Sequence, residues 1–87
     1  MTNRDKIQKA LGEEKIGCYD KRINDLTAAN LKKVIDALSY GSDTDVDVCI
    51  NRKRYVVEIQ RDGLDEVDFY IMTKAEYINR YGNERYE

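Results

Sequence analysis

The chain has 87 residues, 41% hydrophobic and 37% charged, with a net charge of −2 from 15 basic and 17 acidic side chains. This length makes one domain, residues 1–87, whose core is marginal without good packing. The near balance of charge argues against a binder that relies on a general excess of positive charge, whether for nucleic acid or for an anionic membrane, and leaves room only for a local basic patch.

Thr2 is a helix N-cap with Asp5 three residues on, where a carboxylate favours a helix start. Ile7, Ala10 and Leu11 form a narrow apolar stripe, and Gly12 and Gly17 weaken and then end the element, so the first helix is expected over residues 3–14. No apolar leader-like run opens the chain and no stretch approaches membrane-spanning length. The expectation is a cytoplasmic protein with no membrane contact and free thiols at Cys18 and Cys49; one disulfide is the alternative if the chain is exported. Residues 15–25 read as a connector anchored by Ile16, Tyr19, Ile23 and Leu26.

The second helix carries the strongest local signal. Thr27 caps it, Leu26 and Leu31 make a hydrophobic staple, and Leu31, Val34, Ile35 and Leu38 recur at i, i+3, i+4, i+7. Gly41 stands where a left-handed cap is expected, which sets the helix at residues 27–40. Three alternating stretches follow, Val46–Ile50, Tyr55–Ile59 and Val67–Ile71, a meander over residues 46–71. A capping box at Thr73 and Glu76, with Met72 and Tyr77 as its staple, opens a last helix over 73–81 carrying Ala75, Ile78 and Tyr81; residues 83–87 are expected to fray. The fold class is therefore α+β: a two-layer α–α–β–β–β–α arrangement, with a three-stranded antiparallel meander covered by helices on one face.

A four-residue turn at 51–54 pairs Ile50 with Tyr55, Val48 with Val57 and Val46 with Ile59. A loop over 60–66 pairs Ile59 with Val67, Val57 with Phe69 and Tyr55 with Ile71. These residues form the core face. The opposite face then carries the row Asp47–Glu58–Asp68, three carboxylates about 5 Å apart on neighbouring strands. Asp45 and Glu66 lie in the next row, and Val56, Tyr70 and Met72 beyond. One reading is a solvated face whose acids discourage aggregation. The other is a protein-binding face formed by Asp45, Asp47, Glu58, Glu66, Asp68, Val56, Tyr70 and Met72, its acids meeting a basic partner and its apolar side chains supplying contact area. A third is that the first helix folds across this face.

Charge also separates along the sheet. Asp43, Asp45, Asp62, Asp65 and Glu66 gather at one end; Arg52, Lys53, Arg54 and Lys74 gather at the other, an alternative nucleic-acid-binding set. The acids lack a calcium-loop spacing, so no metal is expected. The sequence has no histidine, no Cys-x-x-Cys and no phosphate-binding glycine pattern. A flat sheet face offers the acids no substrate pocket, so neither an enzyme nor a cofactor is expected.

The order α–β–β–β–α over residues 27–81 resembles that of a double-stranded-RNA-binding domain, although the last helix begins Thr73-Lys-Ala-Glu-Tyr-Ile78 rather than with a lysine-rich turn. Residues 46–60 resemble the wing of a winged helix, with Arg52 to Arg54 at its tip. With Asp45, Asp47, Glu58, Glu66 and Asp68 on one face, the chain is also similar in kind to small phage-encoded inhibitors of host nucleases such as anti-CRISPR proteins. That resemblance implies an anti-defence inhibitor or regulator from a phage or other mobile element. Its partner would be a protein with a basic surface, such as a nucleic-acid-binding host protein. A homodimer through the strand edge at 46–50 is the remaining alternative.

Overall fold

The structure, a computed structural model, describes residues 1–61, 63 and 65–82. It is an α+β fold in which α1 (Asn3–Leu11), α2 (Ala28–Ala37) and α3 (Lys74–Tyr81) pack on a four-stranded sheet. The strands are β1 (Lys15–Tyr19), β2 (Thr44–Ile50), β3 (Lys53–Arg61) and β4 (Glu66–Thr73), and short 3-10 segments cover Lys21–Asp25 and Leu38–Tyr40. The helix starts follow the sequence closely. Thr2 and Thr73 each close a capping box, with Asp5 and Glu76 respectively, and the Thr27 side chain accepts the Asn30 amide. Gly12 ends α1 three residues before the expected boundary, because its left-handed backbone (φ 68) turns the chain towards β1. Gly41 (φ 71) provides the left-handed cap expected of it.

The meander is one strand short of the sheet. The strand order is β1–β4–β3–β2, and β1 runs parallel to β4, with Lys15 opposite Glu66 and Ile16 opposite Val67. The connector's expected anchors do hold: Ile23 and Leu26 are buried, and Ile16 and Tyr19 pack against the core. Strand formation at Lys15–Tyr19 depends on tertiary pairing that local pattern does not announce. Gly17 breaks the alternation, and it is needed, because a Cβ there would stand 2.3 Å from Asp68 Oδ1. α1 holds the new strand by its side chains. Gln8 donates to the Glu14 carbonyl (2.7 Å) and accepts the Ile16 amide (3.2 Å), and Asn3 ties down the 3-10 segment that follows β1 by donating to the carbonyls of Ile23 and Leu26 (2.9 and 3.0 Å).

Both hairpins are shifted by two residues from the expected register. The β2–β3 turn has two residues rather than four, so Ile50 faces Lys53, Val48 faces Tyr55 and Val46 faces Val57. Asn51 (φ 50) and Arg52 (φ 68) are both left-handed, as such tight hairpin loops require. In the second hairpin Ile59 faces Phe69 and Val57 faces Ile71. A shift of two leaves each side chain on its original face. Val48, Val57, Ile59, Val67, Phe69 and Ile71 are accordingly buried with Ile7, Leu11, Leu31 and Val34 of the first two helices and Leu38 of the 3-10 turn after α2. α1 therefore packs on the core face beside α2 and does not cross the other one.

The helices do not share one face. α3 lies on the opposite side of the sheet, where Val56, Met72 and Tyr77 form a second buried cluster with Tyr81 packed against it. The frayed tail expected at 83–87 lies outside the described residues.

Candidate functional site

The face expected to be open is the one α3 covers. Val56 is 0% and Met72 7% exposed, beneath a Tyr77 that is itself 1% exposed. The apolar side chains of this face favour a cover, its carboxylates need partners once covered, and α3 offers a stripe that meets both needs. Lys74, Tyr77 and Tyr81 fall at i, i+3 and i+7, hence on one side of the helix. Each meets an acid. The Tyr77 hydroxyl donates to Asp45, the Tyr81 hydroxyl donates to Glu58 Oε2 at 3.0 Å, and Lys74 Nζ pairs with Asp47 Oδ1 at 3.0 Å. The Tyr77 and Tyr81 rings lie 4.8 Å apart, and Glu58 is left 4% exposed.

The expected row of three carboxylates does not form. With the register shifted, Asp47 faces Val56 and Asp68 faces Gln60, while Glu58 lies between Asp45 and Tyr70. Asp45, Asp47, Glu58, Val56 and Met72 thus serve contacts within the chain. Lys74 likewise leaves the basic group expected at the sheet tip.

Glu66, Asp68 and Tyr70 remain, on the half of this face that α3 does not reach. Here β1 contributes Gly17 and Cys18. Asp68 Oδ1 accepts the Cys18 amide at 2.9 Å, which fixes its carboxylate over Gly17. The Cys18 thiol beside Tyr70, helped by burial and the Asp68 charge, pushes the Tyr70 phenol up to about 12. A groove of about 430 Å³ separates this half from α3 and is lined among others by Arg22, Gln60, Tyr70, Glu76 and Arg80. Arg22 is held there by Asp20 (2.9 Å) and the Ile71 carbonyl (2.6 Å), and its side-chain hydrogen bond holds the Asp20 carboxyl below its ordinary range.

At the sheet end nearest Glu66, the acids surround Arg61, a residue to which the sequence reading assigned no role. Its guanidinium donates to Glu14 (2.5 Å) and to the Leu38 carbonyl (2.8 Å), and its amide donates to Asp43 (2.7 Å). Asp65 and Glu66 line the same cleft of about 630 Å³. Asp62, also expected there, lies outside the described residues. The signal for Arg61 was weak, since a cation at a strand end is ordinary, and Glu14 reaches it only because β1 joins the sheet. Among the described residues, no group of His, Cys, Asp or Glu side chains is arranged to hold a metal ion. At the opposite end Arg52, Lys53 and Arg54 are exposed around the tight turn, with Lys53 6.0 Å from the Tyr55 ring centroid. Both cysteines are free and exposed, and among the described residues no helix is long and apolar enough to cross a membrane. Compared with protein-family models, with curated proteins and with solved structures, the chain finds no match in any of the three.

Proposed function

We propose that the chain is a non-enzymatic protein-binding module acting in the cytoplasm, an inhibitor or regulator of the anti-defence kind that a phage or mobile element carries. Its partner is a protein with a basic surface. The observation that supports this reading is where acids stay accessible once α3 has taken its share. Asp43, Asp65 and Glu66 are exposed at one end of the sheet, and Asp68 and Tyr70 continue from there along the uncovered half-face. Arg61 is internal to this group, committed to Glu14 and the Leu38 carbonyl. Complementary charge of this kind steers association and sets register, with Tyr70 as the aromatic contact beside it. The binding surface is thus narrower than the sequence suggests and displaced towards β1 and β4.

The test is capture with the immobilised protein from the native host, run in parallel with an Asp65→Lys/Glu66→Lys variant and an Asp36→Lys control on α2. A partner retained by wild type and control, released by salt and lost with the double reversal, is the expected result. Equal capture by the reversed variant would remove this surface as the interface.

A further inference from the structure

Tight two-residue hairpin loops with both residues left-handed ordinarily carry Asn-Gly or Asp-Gly. The β2–β3 loop has a suitable Asn51 (φ 50), but Arg52 stands at φ 68, where an L side chain other than Asn or Asp is disfavoured. The fold gains nothing visible from this. Among the described residues Arg52, Lys53 and Arg54 make no ion pair, and all three are exposed. Backbone strain held at a position where packing does not demand the residue is a mark of function.

We propose that the β2–β3 hairpin tip is a contact site for the phosphodiester backbone of a nucleic-acid duplex. Strand alternation places Lys53 on the face of Tyr55 and Arg54 on the face of Val56, with Arg52 at the apex between them. A two-stranded ribbon that enters a groove has a phosphate strand on each flank. One cation per flank and one at the apex match that arrangement. Lys74, bound to Asp47, is outside the set. Asn51 to Arg54 hold no apolar side chain that could insert into a bilayer, which an anionic membrane surface would need for lasting attachment. The net charge of −2 confines the attraction to the tip and makes the contact weak and sensitive to salt. The proposal is independent of the acidic surface at the other end of the sheet, and either can fail alone.

The experiment is fluorescence anisotropy of a labelled duplex of about 20 base pairs, titrated with the full chain at about 50 mM salt, where nonspecific binding is strong. Three phosphate contacts give saturable binding whose log–log dependence on salt has a slope of about −2 to −3. Arg52→Gly is the informative variant, because it supplies the residue the loop prefers while removing the apical cation. Its melting temperature should rise by a few degrees, its duplex affinity should fall several-fold, and its salt slope should lose about one unit. Lys53→Gln with Arg54→Gln should lose binding without a change in fold. The proposal is overturned if wild type fails to bind the duplex up to about 100 µM protein, within the usual nonspecific range. It is equally overturned if Arg52→Gly binds as wild type does, or if the chain binds phosphatidylserine vesicles and not the duplex.

Discussion

Replacing Tyr77 with Phe removes one hydroxyl and leaves the ring that covers Val56 and Met72. The hydroxyl donates to the Asp45 carboxylate, and hydrogen bonds to charged groups contribute about 1.5–3 kcal/mol. Asp45 is only half-buried, so water can partly replace the lost donor and the lower figure, about 1.5 kcal/mol, applies. An 87-residue domain has a total stability of about 4–13 kcal/mol, and a loss of this size lowers its melting temperature by about 6–12 °C. Urea and thermal melts followed by circular dichroism measure it. A double-mutant cycle with Asp45→Ala then isolates the pair from the other contacts of each residue, and a coupling of about 1 kcal/mol or more is expected. Tyr77→Ala deletes the ring as well and should cost about 3–5 kcal/mol. The reasoning that α3 is an integral cover of the sheet is refuted if Tyr77→Phe and the coupling both stay below about 0.5 kcal/mol, the range of ordinary surface changes.

Three further outcomes are expected. Gly17→Ala drives a methyl to within 2.3 Å of Asp68 Oδ1, so it should destabilise by about 1–2 kcal/mol, the scale of overpacking. Asp68→Gly in the same chain should recover part of that loss in denaturant melts, and a purely additive double variant would contradict the clash. Tyr19 donates its hydroxyl to Asn24 at 2.6 Å, and burial raises its phenol to about 12 from 10.0. Its neutral form is favoured by folding, so this contribution is whole below pH 10 and is lost as pH rises from 10 towards 12. Wild type should therefore lose more stability than Tyr19→Phe between pH 9 and pH 11 in urea melts; parallel losses would count against it. Met72→Ala should cost about 2–4 kcal/mol if its side chain is enclosed under α3, against a few tenths for an exposed methionine, as denaturant midpoints at constant m will show.

The core face was legible because alternation survives a shift of two: Val57 and Phe69 point inward in either register. The register itself was not. It turned on Arg52 adopting a backbone that usually signals glycine, and a reader of Asn51-Arg-Lys-Arg54 sees four polar turn residues instead of two. β1 was hidden for a related reason, since Gly17 is required by a carboxylate that arrives from 51 positions later in the chain. The larger consequence concerned the candidate surface. Lys74, Tyr77 and Tyr81 were present as a one-sided stripe, yet polar and aromatic side chains at helical spacing do not declare which acids they will meet. The N-cap residues Thr2, Thr27 and Thr73 were legible, because capping is settled within four residues, although the reciprocal bond of Asp5 to Thr2 was not foreseen.

The parallel pairing of β1 with β4 carries a consequence for the order of assembly. β2, β3 and β4 meet through short hairpins, and α3 follows β4 directly, so these pairings close small loops. β1 joins only when Lys15 reaches Glu66, across a far longer stretch of chain and at a correspondingly larger loss of chain entropy. The hairpins and α3 can nucleate among themselves, whereas β1 and the α1 side chains that hold it must dock onto a β4 already in place. Edge-strand amides such as that of Cys18 should then exchange with solvent well before those of Val57 and Phe69, marking the N-terminal segment as the first part of the native fold to open.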